Sequence, residues 1–233
     1  MLLNLFAKQL SEPKFSLKQW LLLNCCFSCL LLCTRIAMTG YLTYTFLAWN
    51  LFLAFVPYFI SEWLVHNTAV LKSKIKTFVI LLWWLLFIPN SFYIVTDLFH
   101  LEQFNSAPKW FDLLLIFSFA WSGVLFGILS IMKIETVFQL VTKRKTTMIF
   151  VFAIMWLNAF GIYIGRYLRY NSWDIIMQPF SLFNEMLQII IHPFQNKMEW
   201  GMIMVWAVFM TLLYMSIKLM REAFITESNN NKV

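Results

Sequence analysis

Six apolar stretches, each long enough to cross a membrane, constrain this chain more than any other feature of its sequence. A helix needs about 20 apolar residues to cross the hydrocarbon core, and lipid cannot hydrogen-bond an open backbone. The sequence therefore predicts an all-α, polytopic membrane helix bundle. The predicted transmembrane helices are residues 20–38, 44–64, 77–99, 112–132, 146–168 and 201–219.

The composition excludes a water-soluble protein. Only 12% of the residues are charged, whereas a soluble domain usually carries about a quarter. Six stretches of roughly 20 residues use about half of the chain. No second soluble domain of ordinary size fits into the remainder.

The basic residues predict the orientation. Most of the 18 Lys and Arg residues precede the first predicted helix, follow the last, or lie between helices two and three or four and five. The positive-inside rule then places both termini in the cytoplasm. Residues 1–18 form a cytoplasmic head, and residues 222–233 form a polar cytoplasmic tail that we expect to be disordered. We interpret the net charge of +7 as a topology signal rather than a nucleic-acid surface, because the basic residues are scattered over short loops.

One further helix is predicted in the longest segment between two spans. Pro179 suits a first helical turn and Pro193 suits a stop. Apolar residues share one face between them and polar residues share the other, which is typical of a helix in the membrane interface. We place this extracytoplasmic interfacial helix at about residues 179–192, with a re-entrant hairpin as the alternative. Its predicted apolar face is Phe180, Phe183, Leu187, Ile190 and Ile191.

Polar side chains inside a membrane are costly, so their placement is the strongest functional clue. In the third predicted helix Asn90, Tyr93, Asp97 and His100 follow steps of three and four residues and share one face. On the predicted topology this stripe climbs to the outer surface. Other polar residues fall at the same level, namely Asp112, Arg166, Arg169, Asn171 and Asp174. Asn50 is one of the remaining polar residues deep in a helix.

These residue types suit a site for an anionic ligand. Asp97 and His100 lie one turn apart and could act as a catalytic acid–base pair. Arg166 and Arg169 suit a phosphate or carboxylate, because each guanidinium offers a fixed fork of donors. The Asn90 amide and the Tyr93 phenol would orient the substrate.

Structural explanations of the same residues stay open. The arginines could pair with Asp97, Asp112 or Asp174 and so join helix ends, which does not exclude a site. Asp112 could instead cap the start of its helix. Asn90 could satisfy the backbone freed by the preceding proline. As parts of a site, Asp112, Asn171 and Asp174 would complete the substrate-binding set.

The sequence predicts no cofactor and no metal site. Neither a zinc signature such as H-E-x-x-H nor a glycine-rich phosphate loop occurs. The four cysteines fall in the first predicted helix without a His or acidic partner, so we interpret them as packing residues. They are Cys25, Cys26, Cys29 and Cys33.

Two glycine pairs predict close helix packing. Gly123 and Gly127 fall in the fourth helix, and Gly161 and Gly165 fall in the fifth. Small residues four apart let helix backbones approach each other in a membrane. We expect the two pairs to pack, against each other or across a dimer.

Four stretches that carry the polar residues resemble a bacterial membrane family catalogued as domain of unknown function 1361. They are W-N-L-F-L-A at 49–54, P-N-S-F-Y at 89–93 with T-D-L at 96–98, W-F-D at 110–112 and G-R-Y-L-R-Y-N-S-W-D at 165–174. The resemblance covers roughly residues 48 to 219. It implies an integral protein of the bacterial cytoplasmic membrane whose polar residues belong to the family pattern. It implies no reaction, cofactor or catalytic residue.

We hypothesise that an outward-facing polar site binds or processes a lipid or lipid-linked anionic substrate, with membrane lipids as the expected partners. One alternative is a non-catalytic scaffold or accessory protein, whose polar cluster would be internally paired. Another is a small transporter or channel, which needs a polar path to the inner side. The sequence leaves the oligomeric state open, and also whether the protein is an enzyme.

Overall fold

A computed structural model describes residues 16–101, 106–139, 144–168, 170, 177 and 179–230. Within these residues all regular structure is helical, and six helices are long and apolar enough to cross a membrane. The prediction of an all-α, six-span bundle with one shorter apolar helix is therefore confirmed. The long helices are α1 (Leu17–Thr39), α2 (Phe46–His66), α3 (Lys74–Tyr93), α4 (Lys109–Gln139), α5 (Arg144–Arg166) and α7 (Lys197–Asn230), and the short one is α6 (Pro179–Ile191).

The first two helices form a tight hairpin, as their short connection requires. Ser16 and Gln19 form a capping box at the start of α1, and Gly40 ends the helix with a φ of 71°. Tyr44 in the turn has a φ of 64°, which is strained for a bulky residue. Its side chain is buried, and its hydroxyl donates to the His100 carbonyl oxygen at 3.0 Å. The hairpin turn is thus tied to the end of the third span.

The third span changes its helix type before it ends. Residues 77–99 were expected to form one α-helix, but α3 stops at Tyr93 and a 3₁₀ helix, Ile94–His100, continues it. Ile94, Val95 and Thr96 are β-branched residues that lower helix propensity. The Thr96 hydroxyl also donates to the Tyr93 carbonyl oxygen at 2.6 Å, which favours the tighter turn.

Helix α4 is the centre of the bundle. In its most apolar stretch 67% of the residues are buried, against 44% or less in the other spans. It contacts α1, α2, α3 and α5, while α7 packs on α5. Large apolar side chains such as Leu22, Phe59 and Leu212 are exposed on the outer helices, as contact with lipid requires.

The glycine pairs bring α3 close to two neighbours instead of packing against each other. A Cβ added at Gly127 of α4 would lie 2.9 Å from Ser91 Cβ and from the Phe92 ring. A Cβ added at Gly161 of α5 would lie 2.8 Å from Pro89. Helix α3 is therefore held between α4 and α5 at distances that only glycine permits.

The expectation that the polar tail is disordered is wrong for residues 222–230. Helix α7 runs through them to Asn230. No Gly or Pro follows Gly201, and helix-forming residues such as Lys218, Arg221 and Glu222 carry the helix on. At 1.5 Å per residue α7 is about 51 Å long, which exceeds the hydrocarbon thickness of about 30 Å. Its polar end therefore extends beyond the apolar layer.

The short helix packs on the bundle through two apolar residues and leaves most of its predicted apolar face exposed. Leu182 and Ile189 are buried against the bundle, whereas Phe180, Phe183 and Ile190 are exposed. The Trp200 indole donates to the Ile189 carbonyl oxygen at 3.1 Å and holds the end of α6. The polar face of α6 makes contacts as well, because Ser181 and Glu185 both hydrogen-bond to the Tyr170 hydroxyl.

We expect Gly127→Ala to lower the free energy of unfolding by about 1–3 kcal/mol, because the added methyl group overpacks the contact with α3. The thermal unfolding midpoint of the purified protein in detergent measures this loss. Gly201→Ala is the matched control, since a Cβ there meets nothing within 4 Å. Alanine is the better helix former, so Gly201→Ala should leave stability unchanged or raise it. Equal losses in both variants would contradict the close packing of α3.

Candidate functional site

Arg166 is the centre of a polar cluster at one end of the bundle. This end, where α1, α3 and α5 finish and α2 and α4 begin, is called the Arg166 end below. The guanidinium donates to Thr96 Oγ1 from Nε at 3.0 Å and to Asp97 Oδ1 from Nη2 at 3.2 Å. It also contacts His100 Nε2 from Nη1 at 3.0 Å and donates to the Thr96 carbonyl oxygen. Every guanidinium nitrogen thus has a protein partner.

Local structure explains why these side chains meet. Asp97 and His100 lie three residues apart on a 3₁₀ helix, and residues at that spacing point the same way. Arg166 ends α5 directly after Gly165, where an added Cβ would lie 3.1 Å from the Tyr93 ring. The close approach of α5 to α3 therefore delivers the guanidinium to the 3₁₀ helix.

The Asp97 carboxylate is enclosed and fully engaged. Asp97 is 1% exposed, and its second oxygen accepts from Asn50 Nδ2 at 2.7 Å. Its first oxygen is bonded to Arg166. Loss of either partner would leave the other buried without compensation, so this contact restricts how the helices can pack.

A cavity of about 250 Å³ lies beside this cluster. Helices α2, α3, α5 and α6 all contribute to its walls. Apolar residues such as Pro89 and Met186 alternate there with two amides and two phenols. The polar lining consists of Asn50, Asn90, Tyr93 and Tyr170. The arrangement can bind a molecule that has both apolar and hydrogen-bonding parts.

Asn50 belongs both to the cluster and to the cavity wall. Its Nδ2 is committed to the Asp97 carboxylate, which fixes the orientation of the amide. Its Oδ1 has no hydrogen bond with any residue that the structure describes, so it remains an acceptor. The sequence showed Asn50 only as a deep polar residue, because its pairing with Asp97 links two helices that lie 47 residues apart.

Tyr170 connects the cavity to α6. Its hydroxyl lies 2.7 Å from Ser181 Oγ and donates to Glu185 Oε1 at 3.2 Å. Ser181 and Glu185 lie on the polar face of α6, and Leu182 and Met186 of the same helix line the cavity. Helix α6 therefore forms one wall of the cavity and is held by the phenol.

Asp112 is not part of the Arg166 cluster. It forms a bidentate ion pair with Arg35 of α1, with Nε to Oδ1 at 2.7 Å and Nη2 to Oδ2 at 3.2 Å. Both side chains are almost fully buried. Asp112 lies inside the first turn of α4 and its carboxylate binds α1, so the interpretation as a helix cap is wrong.

Arg35 was missed as a site residue by the sequence reasoning. It also donates to Thr43 Oγ1 and to Ser106 Oγ, and lies 4.4 Å from the centre of the Tyr44 ring. Burial raises the pKa of the Tyr44 hydroxyl, the Asp112 charge raises it further and Arg35 opposes both. The available signal was the lone arginine within the first apolar helix.

The remaining predicted residues divide into two groups. Asn90 lines the cavity and donates to the Phe87 carbonyl oxygen in its own helix at 3.0 Å. Tyr93 lines it too, with the Arg166 guanidinium 5.1 Å from the centre of its ring. The others lie outside the described residues, namely Arg169, Asn171 and Asp174.

Asn158 adds a buried polar group to the cavity side of α5. It lies three residues before Gly161 and seven before Gly165, which places all three on one helix face. The side chain is fully buried, and neither of its polar atoms hydrogen-bonds to a residue that the structure describes. Such a group costs stability rather than adding to it.

The opposite end of the bundle, called the Glu62 end, holds two further ion-pair groups. Glu62 of α2 pairs with Lys18 and Lys133, and Glu135 of α4 pairs with Lys218 and accepts from the Tyr214 hydroxyl. Nowhere in the described part of the chain do three His, Cys, Asp or Glu side chains come together to hold a metal ion.

The fold and its polar groups define a multi-pass membrane protein. Residues 49–214 match the family described as protein of unknown function (DUF1361), and the chain belongs to this family. The resemblance noted in the sequence is thereby confirmed. No curated protein and no solved structure matches the chain.

We expect Arg35→Met to destabilise the protein by about 3–5 kcal/mol, because it leaves the Asp112 carboxylate buried without a counter-charge. The double variant Arg35→Met/Asp112→Leu should recover most of that loss, since neither charge remains. Unfolding midpoints of the two single variants and the double variant complete the cycle. Additive losses would show that the two side chains do not interact as the structure indicates.

Proposed function

We propose that the cavity at the Arg166 end binds the polar part of a lipid or lipid-linked anionic substrate. The observation that carries this proposal is the cavity itself, with Asn50, Asn90, Tyr93 and Tyr170 among apolar walls. A ligand whose polar head meets the amides and phenols while its chain lies in the membrane would satisfy both kinds of surface. The mixed lining does not suit a purely apolar molecule, because the amides would lose hydrogen bonds to water.

The charge preference of the proposed site rests on two arginines. Asp97 balances the charge of Arg166. Arg169 lies outside the described residues, and its positive charge at this site remains a prediction from the sequence. We therefore propose that Arg166 and Arg169 select the anion, as the sequence predicts, and that Asn50 and Asn90 orient the headgroup. In this scheme Asn171, Asp174 and Asp112 remain predictions from sequence.

Acid–base chemistry by Asp97 and His100 stays a prediction. Both Asp97 oxygens already accept hydrogen bonds, and this favours a positioning role over proton transfer. The geometry supports ligand binding more strongly than a reaction.

A non-catalytic scaffold is the second candidate, favoured by the internal pairing of the Arg166 cluster. The transporter hypothesis has less support. Buried serines between the two ends donate to helix carbonyls, as Ser91 does to Ala54 and Ser61 does to Tyr58. Hydroxyls used in this way do not line a polar path.

We further propose that the Glu62 end faces the cytoplasm of a bacterial cell. Lys18, Lys133 and Lys218 all lie there, and basic residues favour the cytoplasmic side. A green fluorescent protein fused to the C-terminus should fluoresce, whereas alkaline phosphatase fused at the same point should be inactive. The reverse pattern would overturn this orientation.

The cavity proposal predicts selective binding of an anionic lipid-linked probe. A photoreactive polyprenyl phosphate should cross-link to the purified protein in nanodiscs, and peptides that contain residues 49–53 or 182–186 should carry the label. The matching polyprenyl alcohol should label these peptides more weakly, because the proposed arginine contact requires an anion. Equal labelling by both probes would overturn the anionic preference, and labelling only elsewhere would overturn the site.

Matched tryptophan variants test the same site. Leu53→Trp fills the cavity and should abolish the cross-link. Leu82→Trp introduces the same side chain at an exposed position outside the cavity lining and should leave the cross-link unchanged. A response of both variants, or of neither, would contradict binding in the cavity.

A further inference from the structure

A second, larger depression lies on the membrane-facing side of α1 and α2. It has a volume of about 690 Å³, and its walls are almost entirely apolar. Leu22, Cys25 and Cys29 line it from α1, and Phe52 and Phe55 line it from α2. We call it the α1–α2 groove. It shares no lining residue with the cavity at the Arg166 end.

The groove is charged at one end only. Lys18 and Glu62 line that end and form an ion pair at 2.7 Å. Lys133 also binds Glu62, and its ammonium lies 3.8 Å from the centre of the Tyr58 ring. Two ammonium groups therefore share one carboxylate, which leaves a positive charge where the groove begins. The Lys18 side chain is 69% exposed and can contact a further anion.

The groove is shorter than the apolar thickness of a bilayer. Along α1 the lining runs from Lys18 to Cys29, about 16 Å, and along α2 it runs from Ala48 to Glu62, about 21 Å, at a rise of 1.5 Å per residue. The hydrocarbon core is about 30 Å thick, so the groove covers about half to two thirds of it. A partner helix would cross the whole core and would need a surface that continues past Cys29. An acyl chain ends near the middle of the bilayer.

We propose that the α1–α2 groove binds an anionic phospholipid. One acyl chain lies in the groove, and the phosphate lies at Lys18 and Lys133. Charge complementarity favours an anionic over a zwitterionic lipid, because the ammonium groups outnumber the carboxylate. The site belongs to the leaflet at the Glu62 end, opposite to the cavity.

Native mass spectrometry tests this selectivity. The full chain is released from nanodiscs that contain equal parts of phosphatidylglycerol and phosphatidylcholine, and the retained lipids are counted. Phosphatidylglycerol should predominate. Lys18→Glu should reduce its retention about fivefold or more, since one charge near the surface contributes roughly that factor. Equal retention of both lipids by the unaltered protein would overturn the proposal.

Two control variants separate the groove from general effects. Lys74→Glu makes the same charge change at an exposed position outside the groove and should leave retention unchanged. Cys29→Trp fills the groove and should abolish retention, whereas Cys33→Trp, one turn along α1 and outside the lining, should not. Equal effects within either pair would contradict specific binding in the groove.

Cross-linking identifies the occupant directly. A photoreactive benzoylphenylalanine in place of Leu22 projects from the groove wall. Adducts with phosphatidylglycerol support the proposal. Adducts with residues 1–15 of the same chain, or with a second copy of the protein, would overturn it.

Discussion

The cost of burying charge in an apolar bundle organises this structure. Four carboxylates meet basic groups on other helical segments: Asp112 with Arg35, Asp97 with Arg166, Glu62 with Lys18 and Lys133, and Glu135 with Lys218. Helix α4 supplies a member of three of these groups. Because an unpaired buried charge is strongly destabilising, each pair restricts which helices can be neighbours. The central position of α4 therefore rests on electrostatics as well as on its apolar surface.

The cavity follows from how α3 is held. Glycines of α4 and α5 let α3 approach both neighbours closely, and the same approach of α5 carries Arg166 to the 3₁₀ helix. The polar cluster then braces the cavity wall through Asn50. Because Asp97 is closed off while the Asn50 carbonyl oxygen remains an acceptor, the proposed binding falls to the cavity, and the cluster positions its wall. This division of roles favours ligand recognition over acid–base chemistry.

Much of this arrangement could be predicted because it depends on local spacing. The step from Asp97 to His100 places both on one side of either helix type, and apolar length alone identifies the spans. The pairing of Arg35 with Asp112 could not be predicted, because it joins residues 77 apart and depends on which helices are neighbours. The same limit applies to the glycine pairs. Their spacing predicts a close approach but not the partner, which is α3 for both.

The ion pairs at the two ends of the bundle differ in charge balance and in exposure. At the Arg166 end Asp112 and Arg35 neutralise each other in a buried pair, and Asp97 balances Arg166. At the Glu62 end Glu135 pairs with Lys218, but two lysines share the Glu62 carboxylate, and one of them is largely exposed. A balanced, buried pair mainly stabilises the fold, whereas an excess charge beside an apolar groove is free to meet a lipid phosphate. The Glu62 end is therefore suited to recognising the membrane by charge. The Arg166 end is suited to recognising a polar headgroup by the amides and phenols of its cavity.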